Sequence, residues 1–171
     1  MTDTRDRIET HVSTHPGVHF NELVTTLDLA PGQVQYHLHR LLDGDVLVRE
    51  ELYGRTHHFT PEYDDWERGM VALVRRETAR DLLAYLIEYG SSRPNPVADE
   101  LGIARSTLEW HLDHLVEQEV VEKRRDARNR VTLVLARPEA TGRLLKEITP
   151  SLPERLVDRF TRLVDQFLED A

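Results

Sequence analysis

The sequence predicts a mainly α fold with small β-hairpin wings. This is an α+β chain of two tandem winged helix-turn-helix modules followed by C-terminal helices. Three observations predict it. The stretch Leu27–Arg49 recurs without a gap 74 positions later, as Leu101–Lys123. Leu27, Ala30, His37, Leu38, Leu41 and Val46 fall on the identical Leu101, Ala104, His111, Leu112, Leu115 and Val120. Leu29/Ile103, Val34/Leu108, Tyr36/Trp110, Leu47/Val121 and Arg49/Lys123 keep their chemical character. A self-match at fixed spacing marks a repeated structural unit. Within each copy, Val34, Leu38 and Leu41, and then Leu108, Leu112 and Leu115, stand at i, i+4 and i+7, the stripe by which a helix buries one face. Each copy then runs into two short strand-like segments joined by a turn.

The elements follow in order. Asp3–Thr14 is an amphipathic helix with Ile8 and Val12 on one face, ended by His15-Pro16-Gly17. Val18-His19 can form one short strand. Asn21–Leu27 is the second helix, Asp28-Leu29-Ala30 the turn, and Pro31 opens a third helix that reaches Asp43. Proline suits that first position because its missing N–H would have no partner there. Gly44-Asp45 stops the helix, and Val46–Glu51 and Thr56–Thr60 are strands around a turn at Leu52–Arg55. Trp66, Met70, Leu73 and Val74 keep helical spacing through the connector. The second module repeats the plan with helices at Thr78–Tyr89, Pro94–Leu101 and Arg105–Glu117 and strands at Val120–Arg125 and Arg130–Ala136. Glu139–Ile148 and Leu152–Glu169 are two further helices. The expected divisions are module 1 at residues 1–61, a connector helix at 62–76, module 2 at 77–137 and C-terminal helices at 138–171.

Composition narrows the function classes. A chain of 171 residues suits two small modules, and modules of about 60 residues fold alone only marginally. No apolar run approaches the roughly 18 residues of a membrane span. The polar Met1–Asp6 lacks a signal-peptide core, so a cytoplasmic protein without a membrane partner is expected. The absence of cysteine excludes disulfides, zinc thiolates and a thiol nucleophile. Net charge is −9, which by itself argues against nucleic acid. Lys123 and Lys146 are the only lysines, and acidic residues are spread along the whole chain. That balance resembles a halophilic composition, in which surface acidity is general and says little about the partner.

The third helix of each module carries the candidate reading residues, because in a helix-turn-helix this element lies in the major groove. In module 1 these are Gln33, Gln35, Tyr36, His39 and Arg40. Glutamine can pair bidentately with adenine and arginine with guanine. In module 2 the weaker set is Arg105, Ser106, Thr107 and Trp110, beside Glu109 and Asp113, which repel phosphate. The wings supply candidate backbone or minor-groove contacts, Arg55 in the first and Lys123, Arg124, Arg125, Arg128 and Arg130 in the second. Arg49, His57 and His58 add milder positive charge to the first wing, against Glu50 and Glu51. His11/His15 and His111/His114 have helical ligand spacing but no third ligand follows, so no metal and no cofactor are expected. No phosphate loop, nucleophile elbow or isolated acid pair is present, so no enzyme is expected. Leu156, Phe160, Leu163 and Phe167 make an apolar face that either folds back on the chain or pairs with a second copy in dimerisation.

Val34–Leu41 and Leu108–Leu115, with the strands that leave them at Asp45–Arg49 and Glu119–Lys123, resemble the recognition helices of ArsR/MarR-like winged-helix transcription factors. The tandem arrangement, with Leu73–Arg80 leading into the second copy, is similar to the double winged-helix regulators of haloarchaea. The resemblance covers about residues 5–137. It implies a sequence-specific regulator of transcription that binds double-stranded DNA, commonly as a homodimer. The chain lacks the cysteines of the metal-sensing members, and no small-molecule effector follows from the residues. The alternative is a tandem winged-helix protein-interaction scaffold that does not touch DNA.

Overall fold

The computed structural model describes residues 3–148. Leu152–Glu169, with Leu156, Phe160, Leu163 and Phe167, lies outside the described residues. The order is α1 (Thr4–Thr14), α2 (Phe20–Leu27), α3 (Pro31–Asp43), β1 (Val48–Leu52), β2 (Arg55–Phe59), α4 (Asp65–Val74), α5 (Glu77–Tyr89), α6 (Pro94–Leu101), α7 (Arg105–Glu117), β3 (Val121–Arg125), β4 (Val131–Leu135) and α8 (Pro138–Ile148). The chain divides into two compact units between Ala72 and Leu73, inside α4. The first unit holds α1, α2, α3, the antiparallel hairpin β1-β2 and most of α4, and the second holds α5, α6, α7, the antiparallel hairpin β3-β4 and α8.

The sequence repeat is carried by the backbone. α2 and α3 fall on α6 and α7 at the same 74-residue offset. The turn between them closes on Leu29 N–H to Val24 C=O at 3.2 Å, and on Ile103 N–H to Ala98 C=O at 3.1 Å. The exit from the third helix closes on Val46 N–H to Leu41 C=O and on Val120 N–H to Leu115 C=O, both at 2.9 Å. These bonds satisfy carbonyls that a helix end leaves without an intrahelical partner. The capping residue must be left-handed. Module 2 uses Gly102 with φ 64° and module 1 uses Asp28 with φ 51°. Aspartate tolerates that conformation better than most residues, so the turn survives the exchange.

In unit 1, Ile8, Val12, Val18, Leu23, Val34, Leu38, Leu41 and Leu47 form one buried cluster, with Phe20, Val24, Leu27, Leu29 and Leu42 partly buried against it. In unit 2, Leu82, Leu83, Leu86, Val97, Leu108, Leu112, Leu115, Val120, Val121 and Leu133 are buried. α5 packs on α6, β4 and α8 there. Arg7 Nη2 donates to Leu27 C=O at 2.7 Å, capping the end of α2. Asp64 and Glu67 form a reciprocal capping box at the start of α4: Glu67 N–H donates to Asp64 Oδ1 at 2.8 Å and Asp64 N–H to Glu67 Oε1 at 3.2 Å.

The two hairpins differ at their tips. The first turns through Tyr53 and Gly54 alone, with φ 51° and 78°, the two left-handed residues of a tight hairpin. The second needs five residues, Asp126 to Arg130, between β3 and β4. Arg68 Nε reaches Glu50 Oε2 at 2.5 Å and its Nη1 donates to Tyr63 C=O at 2.6 Å, so one guanidinium ties β1 to the start of α4.

His57 and His58 correct an expectation. They are buried rather than exposed wing cations. His57 Nδ1 lies 2.8 Å from Gly17 C=O and His58 Nδ1 3.0 Å from Val18 C=O. Gly17 N–H donates to His58 C=O at 2.8 Å. As Nδ1–H tautomers, both rings fasten the wing to the segment before α2. Burial is the largest influence on His58 and pushes its pKa down; the Val18 hydrogen bond opposes this and Arg49 adds to it.

Two outcomes are expected. Leu38→Ala or Leu112→Ala costs about 2–5 kcal/mol in denaturant unfolding, whereas Gln35→Ala stays within about 0.5 kcal/mol. Stability also depends on pH. The folded pKa of His58 lies below the unfolded value near 6.5, so the unfolded state takes up the proton first. The contribution is present above about 6.5 and is lost as pH falls through and below it. Thermal melts between pH 8 and 5 therefore show a decline that is smaller in His58→Asn, whose amide cannot take up the proton.

Candidate nucleic-acid interface

Because Val34, Leu38 and Leu41 face the core, α3 must turn Gln33, Gln35, Tyr36, His39 and Arg40 outward, and all five are exposed. Their side chains are partly organised already. Gln33 Oε1 accepts the Ala30 N–H at 3.2 Å, which caps the helix start and engages one lone pair of the side-chain carbonyl. Arg40 Nη1 donates to Tyr36 Oη at 3.0 Å, with the guanidinium carbon 5.6 Å from the ring centroid. His39 Nε2 lies 3.1 Å from Asp43 Oδ2. The helix thus presents a braced Tyr36–Arg40 pair beside Gln35.

α7 is the same helix with a different outer face. It carries Arg105 against Glu109, Asp113 and Glu117. Glu109 is engaged at both oxygens: Arg105 Nε donates to Oε1 at 3.0 Å, and Lys123 Nζ of β3 donates to Oε2 at 2.6 Å. Partial burial raises the Glu109 pKa, but hydrogen bonds from Lys123 and Arg105 outweigh it and hold the carboxyl below its usual range. Trp110 is 47% exposed and carries the Arg76 guanidinium 4.8 Å from its ring centroid. Its ring meets His111 edge-on, as Tyr36 meets His37 in module 1, with centroids 4.9 and 5.1 Å apart. Ser106 and Thr107 are exposed.

The two wings also differ. Arg55 stands exposed beside the tight first turn. In the second, Asp126 organises the tip. Its Oδ1 accepts the N–H groups of Arg128 at 2.8 Å and Arg130 at 2.9 Å, and Oδ2 accepts Arg130 Nε at 2.7 Å. The Arg130 amide bond is the largest of the influences that lower the Asp126 pKa. Arg125 Nη1 reaches Asn129 Oδ1 at 3.1 Å, and Arg124 Nη2 reaches Glu122 Oε2 at 3.2 Å. Lys123, Arg124, Arg125, Arg128 and Arg130 therefore share one hairpin, but Lys123 is only partly exposed and leans toward α7.

Among the described residues, no group of three or more His, Asp or Glu side chains could hold a metal ion. His11 and His15 stack on each other with centroids 4.2 Å apart. No helix of the described residues is long and apolar enough to cross a membrane.

Comparison with known proteins defines the class. A family model described as an N-terminal helix-turn-helix domain matches residues 2–71. A winged helix-turn-helix DNA-binding model matches residues 75–122. The chain therefore carries two tandem helix-turn-helix domains, and neither matched family is a family of enzymes. Over 131 residues it is 23% identical to an uncharacterised HTH-type transcriptional regulator of Methanocaldococcus jannaschii. That match covers 77% of this chain and 33% of the relative, so the chain spans about a third of the relative's length.

One outcome follows from the wing geometry. In Asp126→Ala the amides of Arg128 and Arg130 lose their acceptor, and their hydrogen exchange quickens while that of the β3-β4 ladder stays unchanged.

Proposed function

We propose that the chain is a sequence-specific regulator of transcription that binds double-stranded DNA, of the ArsR/MarR-like tandem winged-helix type. In this reading α3 lies in the major groove, where Gln35 and Arg40 contact base edges and Tyr36, His39 and the Gln33 amide flank them. Arg55 and the second wing, through Arg124, Arg125, Arg128 and Arg130, contact phosphate or the minor groove. The observation that carries the reading is the α3 face. Five exposed polar side chains stand on a helix whose inner face is fully committed to the core, and Arg40 is held in place by Tyr36. The domain matches and the name of the archaeal relative support it.

The functional divisions are module 1 at 1–61, the connector at 62–76, module 2 at 77–137 and the C-terminal segment at 138–171. The protein acts in the cytoplasm as a homodimer, so two copies of α3 would meet a palindromic or two-part site. In a salt-rich cell the gain from counterion release is small, phosphate attraction is weak, and discrimination then rests on base and shape contacts.

A second reading is a protein-interaction scaffold, favoured by the acidic outer face of α7. Mobility shift on fragments selected by the full chain separates the two. Arg40→Ala and Gln35→Ala each lose about 1–3 kcal/mol on the selected sequence and little on random duplex. Arg124→Ala with Arg125→Ala weakens both. Failure of the wild type to shift any duplex would leave the scaffold as the function.

A further inference from the structure

The two modules differ in their helix-to-wing pairing. At equivalent positions, module 1 has Gln35 on the reading helix and Arg49 on the strand after it, and module 2 has Glu109 and Lys123. Gln35 and Arg49 are exposed. Glu109 and Lys123 are in contact at 2.6 Å, and the other oxygen of Glu109 holds Arg105. Arg105 is further tied to Asn95 Oδ1 through Nη1. One carboxylate thus captures the first cation of α7 and the first cation of the wing, two side chains of the kind that contact phosphate in protein–DNA complexes.

We propose that Glu109 is a specificity-determining residue that withholds Arg105 and Lys123 from phosphate, so that α7 and the base of its wing add little to sequence-independent DNA affinity. The inference rests on the DNA-binding reading above. Its physical basis is competition. A phosphate that recruits either cation must displace a carboxylate already paired with it, and must then lie near that uncompensated negative charge. Random sequence offers no base contacts to offset the displacement, so the brake acts most strongly on non-specific binding. The arginines at the tip of the second wing stay outside this control, because Glu109 does not reach them.

Glu109→Gln tests this directly, since it installs the residue type of module 1 at the matching position and preserves shape. Glu100→Gln, at an exposed position on α6, controls for the single unit of net charge. Binding to a random-sequence duplex is measured by fluorescence anisotropy across a salt series, with thermal melts confirming that each variant is folded. Each cation released to phosphate steepens the dependence of log K on log salt by about 0.9. Glu109→Gln is expected to steepen it by about 1–2 and to raise low-salt affinity several-fold, with Glu100→Gln close to wild type. Adding Lys123→Gln to Glu109→Gln is expected to take back about 0.9 of the slope. Equal slopes in Glu109→Gln and Glu100→Gln, or weaker binding by Glu109→Gln, would overturn the proposal. Elution from heparin reads the released charges without DNA. Failure of every variant to bind duplex removes the DNA-binding reading and the inference with it, whereas duplex binding by the wild type together with coelution of Glu109→Gln and Glu100→Gln from heparin overturns the inference alone.

Discussion

The structure depends on the commitment of one helix face to a core. Val34, Leu38 and Leu41 on α3, and Leu108, Leu112 and Leu115 on α7, are buried. A helix repeats every 3.6 residues, so fixing these positions fixes where every other side chain of the helix points. The short turn before each helix and the strand after it are then set by backbone hydrogen bonds that recur at the same offset. The outer face is left free to vary without cost to the fold. Variation there is what separates the modules: Gln35, Tyr36, His39 and Arg40 in one, Glu109, Trp110, Asp113 and His114 in the other.

Polar contacts between distant segments then adjust each module. His57 and His58 spend their ring N–H groups on the carbonyls of Gly17 and Val18, which seats the first wing. The second wing is shaped from within by Asp126. An acid that would count against DNA binding in a charge census instead holds Arg128 and Arg130 in place. Glu109 works in the opposite sense, because it engages Arg105 and Lys123 itself, one at each carboxylate oxygen. Net charge is therefore a poor guide to this surface. What matters is which acids are already paired, and with what.

The fold was largely legible in the sequence because its determinants are local. The 74-residue repeat, the i, i+4, i+7 leucines, Pro31 at a helix start and the glycines at the turns each report on a few neighbouring residues. The limits of α3 and α7 agree with the residues that show them. β1 begins two residues later than expected, at Val48, since Val46 and Leu47 both close back on Leu41 at the helix exit. The start of α4 was also readable from the Asp64–Glu67 capping box, a signal the spacing of its apolar residues did not include. The site was less legible because its contacts are not local. Lys123 is fourteen residues from Glu109, and His57 and His58 are forty from their carbonyl partners. Nothing in the run Arg55–His58 distinguishes a buried imidazole from an exposed one.

The central claim is that one architecture serves two roles, with α3 reading sequence and α7 held back from it. Tyr36 and Trp110 occupy equivalent positions on the two helices, both exposed. Replacing each in turn with a photoreactive phenylalanine analogue, in the full chain on its selected duplex, compares the two faces under identical conditions. The account predicts base crosslinks from position 36 and almost none from position 110. Equal crosslinking from both, or crosslinking from position 110 alone, would contradict it.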